Sequence, residues 1–167
     1  IVIIVLFLFN NFLFGQVASV LLGINGLHCS ACSFGTEKEL RQLDFIQEVK
    51  MDLNKHIAEI TFKKGSVVDF DAIAQKVIDG GFSVRSIYIV YDFNNFPVSN
   101  NTCLIDQNMI FSFIGIKDQQ ILNGPHTIQL IGRNFMTGSE FKKWKLRLNN
   151  TCNASSLPSK KIVQVTF

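Results

Sequence analysis

Cys29 and Cys32 stand three residues apart in GLHCSACSFGTEKEL, residues 26–40, where an apolar alternating run gives way to a charged, helix-favouring one. In a turn that starts a helix, Cys29 falls in the loop and Cys32 in the first helical turn, so both sulfurs face one small space. Free backbone N–H groups and the helix dipole at that place favour thiolate over thiol. Thiolates are soft ligands that select Cu(I), or thiophilic ions such as Zn(II). Two thiolates suit a two-coordinate ion best, because structural zinc takes four ligands and the sequence has no second CxxC or Cys/His pair. The same spacing also serves a thiol–disulfide exchange pair or a local disulfide in an exported protein. His28, at the strand end, reads as a solvent-facing residue and not as a third ligand.

The elements around this pair follow from periodicity. VASVLLGINGL is apolar and rich in strand formers, and residues 30–43 favour helix. EVKMDL sets Val49, Met51 and Leu53 against charged neighbours, a half-buried strand. HIAEITF follows with Ala58, Ile60 and Phe62 on one face. Asp69 can cap a helix through FDAIAQKVIDGG, with Phe70, Ile73 and Val77 inward and Gly80 or Gly81 ending it. FSVRSIYIVY closes as a strand. The order is βαββαβ, the ferredoxin-like arrangement of four antiparallel strands with two helices on one face.

With GLHCSAC, that order of elements and the downstream GGFSV, residues 17–91 resemble the heavy-metal-associated domain family. That family includes copper chaperones, the N-terminal domains of copper-transporting P-type ATPases and the periplasmic mercury-binding protein. Its motif is Gly-Met-x-Cys-x-x-Cys; Gly26, Cys29 and Cys32 match, Leu27 replaces the Met and His28 fills the variable position. Phe82 matches the aromatic that packs beside the family's site. Thr36 stands where Val or Ile is usual, and Gly35 lies inside the first helix at a cost of about 1 kcal/mol relative to Ala. The resemblance implies a metal site at Cys29 and Cys32 and no catalysis. It also implies a soft cargo ion, Cu(I) first, then Hg(II) or Zn(II), and another metal-transport protein as partner. The rivals are a thiol–disulfide oxidoreductase using the same pair, and an interaction module in which the C-terminal part does the work. No paired carboxylates, Ser/His/Asp set or phosphate loop supports a hydrolase or kinase.

The rest of the chain has a different texture. DFNNFPVSNN, residues 92–101, is polar and contains Pro97, so it reads as a linker. Residues 102–167 hold short strand-like runs (MIFSFIGI, HTIQLIG, KWKLRL, KIVQVTF) between turn residues, which predicts a small all-β barrel or sandwich of about five strands. The whole chain is then α+β, with the metal-binding domain at 16–91 and the β domain at 102–167. The net charge of +3 comes from the second half. There Lys142, Lys143, Lys145 and Arg147 alternate with Phe141, Trp144, Leu146 and Leu148, as a strand with one solvated face and no nucleic-acid role.

Residues 1–15 carry no charge and are interrupted by Asn10 and Asn11. They read as the apolar region of a secretory signal peptide, so an exported, periplasmic or secreted location is expected, with membrane contact only through that segment if it is retained. In that setting Cys103 and Cys152 are expected to join, worth about 3–4 kcal/mol for a loop of about 50 residues. This is the one connectivity that leaves Cys29 and Cys32 to each other. The sequons at Asn100, Asn149 and Asn153 read as turn chemistry.

Overall fold

The structure is a computed structural model that describes residues 17–148, 152 and 160–167. The expected signal segment and the sequons at Asn149 and Asn153 lie outside the described residues.

Six elements appear in the expected βαββαβ order: β1 (Val17–Asn25), α1 (Ser30–Leu40), β2 (Ile46–Asp52), β3 (Ile57–Phe62), α2 (Phe70–Asp79) and β4 (Ser83–Val98). Their strands lie side by side as β2-β3-β1-β4, every pair antiparallel. Alternation decides which face goes inward: Val20, Leu22 and Ile24 of β1 and Ile87, Ile89, Tyr91 and Phe93 of β4 are buried. The Asp69 carboxylate caps α2, accepting the N–H groups of Asp71 and Ala72 at 3.0 and 3.2 Å. Phe70, Ile73, Ala74 and Val77 then form the helix's buried face, at the i, i+3, i+4, i+7 spacing of an amphipathic helix.

Past Tyr91 the structure departs from the sequence reading. Residues 92–98, read as linker, continue β4 and pair with β7 (Gln120–Ile131). The Asn94–Asn95 step that suggests a turn is a bulge: the register shifts between Phe93 and Phe96, and Asn95 has φ 45°. Asn tolerates that left-handed backbone better than most residues, and a bulge bends a strand without ending it. Pro97 is accommodated because, among the described residues, this stretch pairs with β7 alone, and proline belongs on sheet edges.

The remaining strands are β5 (Cys103–Asp106), β6 (Met109–Phe113) and β8 (Lys161–Thr166). They do not build a sheet of their own. One eight-stranded sheet runs β2-β3-β1-β4-β7-β8-β6-β5, and it is mixed because β6 and β8 are parallel. Nor is the C-terminal part all-β. KWKLRL is not a strand; α3 (Gly138–Trp144) occupies its first residues, capped by the Thr137 hydroxyl, which accepts the Glu140 N–H at 3.3 Å. Apolar and basic residues alternate here, but Phe141, Trp144 and Leu148 also fall at i, i+3 and i+7. Those three pack on Ile114, Ile131 and Met136, and the basic residues are left to the solvent side. Apart from that small cluster, one buried core runs from Val20 in β1 to Val165 in β8, and rings meet across the two halves: Phe70 with Phe111 at 6.5 Å and Tyr91 with Phe111 at 5.9 Å between centroids. Among the described residues no helix is long and apolar enough to cross a membrane.

Ending the chain after Tyr91 tests the expected division into domains. The cut removes β7, which pairs with Tyr88–Tyr91, and leaves a bare strand edge of the kind that promotes association. The shortened chain should melt at lower temperature than the full chain and self-associate, as read by thermal unfolding and light scattering. A monomer with an unchanged melting temperature would show that residues 16–91 stand alone.

Candidate metal centre

Cys29 is the N-cap of α1, with extended backbone (φ −140°, ψ 154°), and its Sγ accepts the Cys32 N–H at 3.1 Å. A sulfur thus takes the place that Ser, Thr, Asp or Asn oxygen fills at most helix starts. The Cys29 carbonyl opens the helix by accepting the Ser33 N–H at 3.1 Å. The Cα atoms of Cys29 and Cys32 are 5.3 Å apart and their sulfurs are in bonding contact. Cys29 is exposed and Cys32 half-buried. The pair therefore lies where the sequence puts it, on the surface at the helix N-terminus, in its bridged form.

Three neighbours hold this turn. Leu27 is fully buried, at 1% exposure, and anchors the loop in the core. Gly26 has φ 93°, and a Cβ there would come within 3.2 Å of the Phe82 ring, so the position needs glycine for both backbone and space. Phe82 is itself set by the end of α2: its N–H donates to the Val77 carbonyl at 3.1 Å, across Gly81 with φ 82°. Phe82 is thus a wall of the turn, as expected. Thr36 is buried, and its hydroxyl donates to the Cys32 carbonyl at 3.0 Å. The polar group that departs from the family pattern is therefore satisfied inside the helix. Gly35 has no neighbouring atom where a Cβ would go.

His28 is exposed, as expected, but it is not alone. Its ring meets the ring of His56 edge-on, 5.9 Å between centroids. His56 opens β3 from the β2–β3 turn in the left-handed region, φ 53°. Its carbonyl accepts the Ile24 N–H at 3.1 Å, and Arg85 donates to the Lys55 carbonyl at 2.9 Å. Within the turn the Asp52 carboxylate accepts the N–H groups of Asn54 and Lys55 at 3.0 and 3.1 Å. The Lys55 N–H, with that residue's charge, holds the Asp52 carboxyl below the usual carboxylate range. Sequence reasoning missed His56 because it is remote in the chain. The signal lies in the register, since pairing Gly23 with Ile57 sets residue 56 at the strand end that carries Cys29.

Among the described residues no group of three or more His, Cys, Asp or Glu side chains could hold a metal ion. Among the described residues, then, the cysteine pair has no third donor of these types grouped with it. Cys103 and Cys152 form the second sulfur pair, with Cα atoms 5.8 Å apart and Cys152 buried. It ties β5 to the chain ahead of β8.

Residues 22–83 match the family model of the heavy-metal-associated domain. No curated protein matches the chain. Among solved structures, the chain is similar to the copper transporter domain Ccc2a of yeast, solved in apo and Cu(I)-loaded states, at 27% identity and a TM-score of 0.36; the match covers 40% of this chain and 90% of that one. It is similar to a copper-binding domain from a P-type ATPase at 25% identity and TM-score 0.37, covering 41% and 90%. Oxidised MerP from Ralstonia metallidurans is 23% identical with TM-score 0.37, covering 42% and 97%.

Two outcomes follow from this geometry. Gly35→Ala should stabilise the chain by about 0.5–1 kcal/mol in denaturant unfolding, because a helical, open position gains from alanine; a loss of stability would mean that the position is not helical or not open. Under graded reduction followed by peptide mapping, the Cys29–Cys32 pair should open before the Cys103–Cys152 pair. A thiolate at a helix N-terminus is stabilised, which makes its disulfide the more easily reduced. Simultaneous opening, or peptides linking one pair to the other, would contradict this.

Proposed function

We propose that this protein binds a soft metal ion, Cu(I) in preference to Hg(II), through Cys29 and Cys32, and carries or buffers it for transfer to another metal-transport protein. The observation that carries this reading is the pair of sulfurs on an exposed helix N-terminus, one of them the helix cap, with no third donor among the described residues. The match of residues 22–83 to the heavy-metal-associated domain model supports it.

Binding requires the dithiol. The bridged form has no thiolate to offer, so two electrons from a thiol reductant must open it first, and metal binding then releases the two thiol protons. The helix N–H groups that steady the Cys29 sulfur also stabilise the thiolate–metal unit, whose charge is negative when two thiolates hold one monovalent ion. Transfer is ligand exchange with no redox change. An acceptor thiolate adds to the ion, one of the two cysteines leaves and takes up a proton, and a second acceptor thiolate displaces the other. The exposure of Cys29 leaves room for that approach.

An exported location fits a Cys103–Cys152 disulfide, since such bonds persist in oxidising compartments. There a reductase or prompt metal loading must keep Cys29 and Cys32 open. The Cys-x-x-Cys spacing also serves a second reading, a thiol–disulfide oxidoreductase.

Anaerobic titration of the reduced chain with Cu(I), Hg(II) and Zn(II) tests the proposal. One soft ion should bind per chain, and Cys29→Ser/Cys32→Ser should abolish that binding. Full stoichiometry and affinity in the double variant would refute the site. Efficient turnover of a model disulfide substrate with no soft-metal binding would favour the oxidoreductase.

A further inference from the structure

We infer that His28 and His56 form a second metal site, separate from the cysteine pair, that takes a borderline divalent ion with Zn(II) as its type. Imidazole nitrogen suits zinc, copper(II) and nickel(II), whereas thiolate pairs select softer ions. The two kinds of donor therefore sort different ions at one end of the sheet.

The geometry carries the inference. Zinc bonds imidazole nitrogen at about 2.0–2.1 Å, and the ring centre lies roughly 1.1 Å behind that nitrogen. Two rings on one ion therefore have centroids about 4.5 Å apart at a right angle and about 6.4 Å apart when collinear. The rings of His28 and His56 are 5.9 Å apart, inside that range and slightly wider than the roughly 5.2 Å of a tetrahedral angle, a gap that side-chain rotation would have to close. Both rings are reachable from solvent: His28 is exposed and His56 half-buried. Among the described residues neither ring makes a hydrogen bond, so no existing bond must be broken.

The backbone presets the pair. His56 is held in the left-handed region, and its carbonyl accepts N–H groups from Ile24 at 3.1 Å and Arg85 at 3.4 Å. Left-handed non-glycine backbone is maintained only where surrounding contacts determine it. The nearby cations are engaged: Lys55 pairs with Asp52 at 3.4 Å, and Arg85 is spent on carbonyl groups. Two protein donors leave the remaining coordination positions to water, so the site is open and exchangeable and does not hold the fold together. The two imidazoles lie together while Cys29 and Cys32 are bridged.

The test uses the full chain carrying Cys29→Ser/Cys32→Ser, which removes the thiolates, with Zn(II) as the probe. Calorimetry should give one Zn(II) per chain, and NMR should show ring signals of His28 and His56 moving together on addition. In that background His28→Ala or His56→Asn should weaken Zn(II) binding by about tenfold or more; Asn is chosen because it tolerates the left-handed backbone at that position. His126→Ala, whose ring packs on Phe93 elsewhere, should change nothing. Absence of Zn(II) binding in the double Ser chain, or equal binding after either histidine is replaced, would overturn the inference. Neither result bears on Cu(I) binding by the reduced wild-type chain, so the two readings stand or fall separately.

Discussion

The structure depends on one long strand being paired along both edges. β4 bonds to β1 over Ser83–Tyr91 and to β7 over Tyr88–Val98. Every backbone N–H and C=O removed from water needs a partner, and in the overlap both neighbours supply them. The inward row of β4, Val84, Ile87, Ile89, Tyr91 and Phe93, lies in the core that both halves share. The strand's first turn carries Phe82, which closes on Gly26 beside the cysteines. The surface that presents Cys29 and Cys32 is thus set from beneath by a strand that the C-terminal half helps to hold.

Within that frame the helix start does the chemical work. Cys29, used as an N-cap, keeps its sulfur directed at the Cys32 N–H, where the helix dipole favours negative charge. Burial is unequal, with Cys29 outside and Cys32 partly covered. Under the proposed function, two sulfurs with one open side would favour ions content with few ligands and release them by exchange. A closed four-ligand site would favour retention.

Residues 17–91 were legible because their signals agree. The apolar, strand-forming run of β1, the alternation in β2 and β3, the Asp69 cap and the glycines after α2 all point to βαββαβ, and the cysteine pair falls at the turn from β1 into α1. Beyond Tyr91 local signals mislead. Asn94, Asn95 and Pro97 are turn residues by type, yet they lie in a bulged strand whose pairing with β7 is set by residues more than twenty positions away. Residues 141–148 satisfy strand and helix periods at once, and contacts of Phe141 and Trp144 with Ile114, Ile131 and Met136 decide for the helix. The His28–His56 contact was out of reach for a related reason, because it depends on which hairpin lies beside the loop.

X-ray absorption at the copper edge, on the reduced full chain loaded with one equivalent of Cu(I), tests the central claim most directly. The account predicts a first shell of two sulfur neighbours with no nitrogen. A first shell containing imidazole nitrogen, or a two-sulfur spectrum that persists in the Cys29→Ser/Cys32→Ser chain, would contradict it.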